Sequence, residues 1–230
     1  MNDTVGVPRP LLLRLWYALG GAALFMIVAT IQGITRPDYD PWHQAVSALS
    51  LGPGGWVQAS NFVFFGAVLL STVPVWRTIL SGGKAATAYP ALTALLGASF
   101  VIVAFIPQDP APGYDPARLA LQAPTVGGLF HLAIAGLAAT CSVAGLFVMA
   151  ARFTGDPHWR GWPAYSRVMA LLMIVCIAIF GVWSTKPTGL AGTFERVAVM
   201  IPPIWAFTFV RRLSAGTPFM VKSGQSSVRF

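Results

Sequence analysis

The chain has 230 residues, of which 56% are hydrophobic and only 10% are charged, and its formal net charge at pH 7 is +8. Soluble domains carry roughly 25% charged residues, so this composition excludes an ordinary soluble protein and indicates a chain that faces lipid. The positive charge does not indicate nucleic-acid binding, because the basic residues lie singly or in pairs between apolar segments and form no basic patch.

Six apolar segments predict an all-α, polytopic membrane protein with a bundle of six transmembrane helices, since about 20 apolar residues are needed to cross the hydrocarbon core. The segments are too long and too uniformly apolar for the strands of a barrel. In chain order, the expected spans are 15–34, 57–76, 86–106, 126–150, 163–184 and 191–210. Residues 1–212 are therefore expected to form one transmembrane domain, and residues 213–230 a flexible cytoplasmic tail.

Arginine and lysine are distributed unevenly between the two ends of these spans. The N-terminal segment, the second and fourth connections and the C-terminal tail together carry ten of them, whereas the other three connections carry only Arg36, Arg118 and Lys186. The positive-inside rule then predicts that both termini are cytoplasmic.

The three connections on the outer side resemble one another, with a period of about seventy residues. Tyr-Asp-Pro occurs at 39–41 and again at 114–116, and in each connection a glycine precedes a polar residue by three positions: Gln58, His131 and Glu195. This pattern favours helical hairpins in parallel orientation, related by an axis along the membrane normal. A twofold repeat limited to the Tyr-Asp-Pro motif is the alternative, as is chance similarity in a glycine-rich chain.

Polar and ionisable side chains within or beside apolar segments are costly and mark candidate sites. The candidate ligand-binding residues are Ser47, Gln58, Asp109, His131, Glu195 and Arg196. Arg196 is expected either to form a structural ion pair, for example with Asp109, or to help bind a headgroup or anion. His131 is either a packing histidine or a proton carrier or metal ligand. No paired-histidine spacing is present, so no metal site is predicted and any cofactor is left unidentified.

Several short motifs resemble a known family. They are, in chain order, residues 36–41, Ser47, 54–56, 61–62, 105–109, His131 and 194–196. Together they resemble the bacterial multi-pass membrane family catalogued as domain of unknown function 998, over approximately residues 15–211. The resemblance implies an integral protein of about six spans in a bacterial plasma membrane, and it adds weight to Ser47, Asp109, His131, Glu195 and Arg196. It implies no activity.

Binding is the function that these observations favour, through an outward-facing polar pocket that holds a membrane lipid headgroup or a small amphiphile. One alternative is an intramembrane enzyme that acts on a lipid-like substrate through His131 and Glu195. A small transporter and a structural subunit of a membrane complex are further alternatives. Small residues on the first and fourth spans suit contact with a second copy or another membrane protein, although packing within the bundle uses the same residues. Whether the protein is an enzyme stays open.

Overall fold

Long α helices dominate the fold. The computed structural model describes residues 3–37, 39–83, 85–110, 124–186 and 188–221. Within those ranges the α helices are α1 Arg9–Thr35, α2 Gly55–Ile79, α3 Ala88–Val103, α4 Val126–Arg152, α5 Trp162–Trp183 and α6 Ala191–Ser214. Shorter elements are the 3-10 helices Val46–Ser50 and Pro157–Trp159 and the strands β1 Asp3–Val5 and β2 Phe219–Val221, which pair in antiparallel orientation.

Five of the six helices, α1, α2, α4, α5 and α6, are long and apolar enough to cross a membrane. Helix α3 is also apolar but has 16 residues, which span about 24 Å at 1.5 Å per residue, less than the ~30 Å of a hydrocarbon core. The expected span 86–106 is thus helical only to Val103, and residues 104–106 continue as a turn and bend. An all-helical fold with membrane-spanning helices is confirmed, and the count of six spans stays a prediction.

Secondary structure extends beyond the expected boundaries near both ends of the described part of the chain. Helix α1 begins at Arg9 rather than near residue 15, because Pro10 suits the first turn of a helix. Helix α6 continues to Ser214, and β2 then pairs with β1. The indole Nε1 of Trp159 donates to the carbonyl of Pro218 at 2.9 Å, which attaches this segment to the bundle. Of the expected tail 213–230, residues 222–230 lie outside the described residues.

The six helices form a closed ring in chain order. Each helix packs against the next, and α6 packs against α1. Contacts between the connections define one end of the ring, which we call the Glu195 end: α2, α4 and α6 begin there, and the Val46–Ser50 turn lies over it. Strands β1 and β2 lie at the opposite end, which we call the terminal end.

Each end of the ring has its own cluster of aromatic side chains. At the terminal end, Trp205 stacks on Phe209 with ring centroids 5.2 Å apart, and Arg212 lies over the rings of Trp159 and Trp162. Toward the Glu195 end, a cluster of phenylalanines joins α1, α2 and α3: Phe25, Phe62, Phe65 and Phe100. These clusters pack the helices against one another toward both ends of the ring.

Candidate functional site

A cavity of about 440 Å³ lies inside the ring of helices. Residues of all six helices and of the Val46–Ser50 turn line it. It is elongated along the bundle, because its lining extends from Glu195 to Val210 on α6 and from Tyr89 to Val103 on α3. At 1.5 Å per residue, each of these stretches is about 20 Å long. The volume is within the range of roughly 300–1,000 Å³ that small-molecule sites occupy.

The walls of the cavity are apolar along most of this length. Aromatic and aliphatic side chains such as Phe25, Leu69, Phe100 and Met173 form them. Four threonine and serine hydroxyls in the walls are turned to their own helices, where each donates to a backbone carbonyl three or four residues earlier. These hydroxyls belong to Thr72, Thr93, Ser99 and Ser142. These four hydroxyls therefore offer no free hydrogen to an occupant.

Polar side chains gather where the cavity reaches the Glu195 end. Three of the six residues predicted from the sequence, Ser47, His131 and Glu195, line the cavity there. They come from the Val46–Ser50 turn, the first turns of α4 and the first turns of α6. The cavity thus has one polar end and a long apolar body, which is the distribution of polarity that an amphiphile has.

Glu195 is half-buried between α6 and the Val46–Ser50 turn. Its Oε2 accepts a hydrogen bond of 2.5 Å from the backbone N–H of Val46. A carboxylate has about four lone-pair positions, so this single bond leaves most of its acceptor capacity unused. Glu195 therefore holds the turn over the cavity and still presents an acceptor to it.

His131 is buried, with 4% of its surface exposed. Its Nδ1 lies 2.6 Å from the carbonyl oxygen of Ile106, just beyond α3. A carbonyl can only accept, so Nδ1 carries a proton, and the neutral imidazole then has its lone pair on Nε2. The contact fixes the ring to the α3–α4 connection and makes the remaining nitrogen an acceptor.

Ser47 connects the same turn to the α3–α4 connection. Its hydroxyl donates to Oε1 of Gln108. The hydroxyl hydrogen is thereby used, whereas the oxygen keeps lone pairs that can accept.

Arg196 follows Glu195 in the sequence but serves a different purpose. Its Nη1 donates to three backbone carbonyls, and Nη2 donates to the hydroxyl of Tyr39 at 2.5 Å. The three carbonyls belong to Pro41 at 2.6 Å, Gln44 at 3.1 Å and Gly192 at 2.9 Å. The guanidinium therefore fastens the connection between α1 and α2 onto α6.

Asp109, the expected ion-pair partner of Arg196, is engaged elsewhere. Its Oδ1 and Oδ2 accept from the hydroxyl and the N–H of Thr125 at 2.6 and 2.9 Å. Thr125 is the N-cap residue of α4 and accepts from the N–H of Gly128 at 2.9 Å. Asp109 thus positions the start of α4, which carries His131. The hypothesis of an Arg196–Asp109 pair is wrong, because Arg196 is bonded to the α1–α2 connection and Asp109 to Thr125.

Gln58 lies completely buried between α1 and α2. Its Oε1 accepts from Nε2 of Gln32 at 2.9 Å and from Nδ2 of Asn61 at 3.3 Å. Asn61 also donates to the carbonyl of Phe25 at 3.0 Å. This interhelical network accounts for Gln58, which among the described contacts joins helices and does not line the cavity.

Two residues of the α1–α2 connection matter more than the sequence indicated. Arg36 donates to the carbonyls of Leu49 and Leu51, both at 2.5 Å. The hydroxyl of Tyr39 lies 2.9 Å from the carbonyl of Ala45, and burial raises the pKa of this phenol to about 12. The motif at 36–41 is the available signal in the sequence, but its pattern indicates a repeat and a topology rather than the attachment of the Val46–Ser50 turn.

Metal binding finds no support among the described residues, which contain no group of three or more histidine, cysteine, aspartate or glutamate side chains that would hold an ion.

A protein family matches most of the chain: residues 19–212 match the family described as Protein of unknown function (DUF998). The comparison with curated proteins and the comparison with solved structures gave no match. The chain therefore belongs to the DUF998 family, and its five long apolar helices fit an integral membrane protein.

Proposed function

We propose that this membrane protein binds a lipid-like amphiphile inside its helical ring. The head lies at the Glu195 end, beside Ser47, His131 and Glu195, and the hydrocarbon tail lies along the cavity. The observation that carries the proposal is the polarity of the cavity, which is about 20 Å long, apolar over most of that length and polar at one end. Burial of the tail supplies the free energy of binding, at roughly 25 cal/mol per Å² of apolar surface.

Exposed residues on one side of the cavity support the entry of a ligand from the bilayer. Leu132 and Gly136 on α4 and Gly181 on α5 line the cavity and are also exposed at the surface. A Cβ atom added at Gly136 or Gly181 would meet no atom within 4 Å. The halves of α4 and α5 nearest the Glu195 end therefore leave a lateral opening among the described residues, on a surface that faces lipid in a membrane.

We further propose that the Glu195 end is the outer end. Helix α3 together with residues 104–106 supplies the sixth span, and both termini lie in the cytoplasm of a bacterial cell. Basic residues at the terminal end support this orientation by the positive-inside rule; they include Arg9, Arg14, Arg211 and Arg212. The ring order also suits three parallel helical hairpins.

The test measures bound lipid in protein extracted with mild detergent, by native mass spectrometry. Ala139→Phe places a large side chain on the cavity wall of α4, whereas Ala133→Phe places the same side chain on an exposed, non-lining position of that helix. We expect a co-purified amphiphile on the wild type and on Ala133→Phe, with occupancy at least tenfold lower on Ala139→Phe. Equal occupancy in all three proteins would place the lipid on the outer surface and contradict the proposal.

An intramembrane enzyme is a second candidate, favoured by one observation. The lone pair on Nε2 of His131 and the carboxylate of Glu195 lie at the same end of the cavity, and a neutral imidazole is a common proton acceptor in catalysis. The measurement is the mass of the bound amphiphile before and after incubation of the purified protein. A change of mass that disappears in His131→Gln supports the enzyme, and an unchanged mass leaves binding as the function.

A further inference from the structure

The polar end of the cavity presents hydrogen-bond acceptors to an occupant. We propose, on the basis of the proposed function, that the head group it takes is a hydrogen-bond donor with positive charge, such as a primary amine, rather than a phosphate or a carboxylate. The bound molecule is then a single-chain or otherwise slender cationic amphiphile with its amino group beside Glu195.

Three side chains from three different elements each offer a hydrogen-bond acceptor at the Glu195 end of the cavity. Glu195 keeps free lone pairs after accepting the N–H of Val46. His131 has its proton committed to the carbonyl of Ile106, so Nε2 is an acceptor. Ser47 has its hydrogen committed to Gln108. The contacts of His131 and Ser47 use their protons, and the Glu195 carboxylate has none, so all three side chains are left with acceptors. Acceptors are the complement of an ammonium group with its three N–H donors.

The cation nearest to Glu195 in the sequence is unavailable to an anionic ligand. Arg196 donates to three carbonyls and to Tyr39, all of them in the α1–α2 connection or in α6. Among the described residues that line the cavity, none is a lysine or an arginine. A phosphate or carboxylate at this end would face a carboxylate and two lone pairs without a compensating charge, and such like-charge contact is a strong means of excluding a ligand.

Further along the cavity, the serine and threonine hydroxyls of the walls also offer no hydrogen-bond donor to an anionic head group. The hydroxyls of Thr93 and Ser99 on α3 and of Ser142 on α4 donate to their own helix backbones. An anionic head that moved deeper would therefore find no hydroxyl donor from these residues. A positively charged head therefore binds the acceptors at the Glu195 end, and the tail lies in the apolar body of the cavity.

The experiment compares two probes with the same twelve-carbon chain, dodecylamine and dodecyl phosphate, on the full-length protein in lipid nanodiscs. Binding is measured by competition against the co-purified amphiphile, detected by native mass spectrometry. We expect the wild type to bind dodecylamine at least tenfold more tightly than dodecyl phosphate. Glu195→Gln keeps an oxygen for the N–H of Val46 and removes the charge, and the preference should fall at least fivefold. Should that variant fail to fold, the two-probe comparison on the wild type decides alone.

The outcomes separate this inference from the proposed function. If both probes bind the wild type equally, or the phosphate binds better, and Ala139→Phe abolishes both, the cavity binds amphiphiles but the inference about the head is wrong. If neither probe binds, or binding is indifferent to Ala139→Phe, the proposed function fails and the inference fails with it. A preference for the amine that persists in Glu195→Gln would also overturn the role given to Glu195.

Discussion

At the scale of single residues, two adjacent side chains at the start of α6 have different surroundings. Glu195 faces the cavity while supporting the Val46–Ser50 turn, and Arg196 is saturated by the connection that precedes this turn. Adjacent helical residues point about 100° apart, so the two side chains reach different surroundings. Both residues stand out in the sequence because a charged side chain inside a membrane costs free energy. Their hydrogen-bond partners, however, depend on the tertiary structure.

Arg196→Lys tests the structural role. A lysine ammonium is a point donor and cannot reproduce the planar fork that reaches Pro41, Gln44 and Tyr39 together. Several buried acceptors would lose their donor, at a cost of about 2–4 kcal/mol. We expect the midpoint of thermal unfolding in detergent to fall by several degrees, while the relative affinity for dodecylamine and dodecyl phosphate is unchanged. A stable Arg196→Lys with altered preference would mean that Arg196 serves the ligand rather than the fold.

At the scale of helices, hydropathy over about 20 residues predicted every long helix, because lipid leaves the backbone no other way to satisfy its hydrogen bonds. The helix ends were predicted less well. Helix α1 begins at Arg9 and α3 ends at Val103, since packing and proline placement rather than hydropathy set these limits. The sequence also does not predict side-chain partners: Gln58, a candidate ligand-binding residue, pairs with Gln32 across α1 and α2.

Helices α2 and α3 approach each other closely, and glycine permits it. A Cβ atom at Gly66 would lie 2.6 Å from the carbonyl oxygen of Gly97, and one at Gly97 would lie 2.9 Å from that of Gly66. These are backbone atoms, which cannot change rotamer to make room. Small residues commonly allow membrane helices to pack closely.

Gly66→Val should therefore separate α2 from α3 and destabilise the protein by about 1–3 kcal/mol, the usual cost of overpacking. Gly20→Val is the matched control, because a Cβ at Gly20 on α1 meets no atom within 4 Å. Thermal unfolding in detergent compares the two substitutions. Equal midpoints for both variants would show that the close approach of α2 and α3 is not needed for stability.

At the scale of the whole molecule, the ring of six helices explains why residues distant in the sequence meet at one cavity. Ser47, His131 and Glu195 lie on a turn and two helices that all reach the Glu195 end. Polar residues within or beside apolar segments indicate three of the cavity residues, Ser47, His131 and Glu195. The sequence predicts a polar pocket but not the long apolar body of the cavity, because its walls use the same phenylalanine, leucine and alanine residues that would otherwise fill a core.

The occupancy of this cavity is the most direct test of the account. Native mass spectrometry of the wild type, Ala139→Phe and Ala133→Phe, each purified in the same mild detergent, compares one lining position with one exposed position on α4. The account predicts a bound amphiphile on the wild type and Ala133→Phe that is reduced at least tenfold on Ala139→Phe. A wild type without bound amphiphile, or the same occupancy in all three proteins, would contradict it.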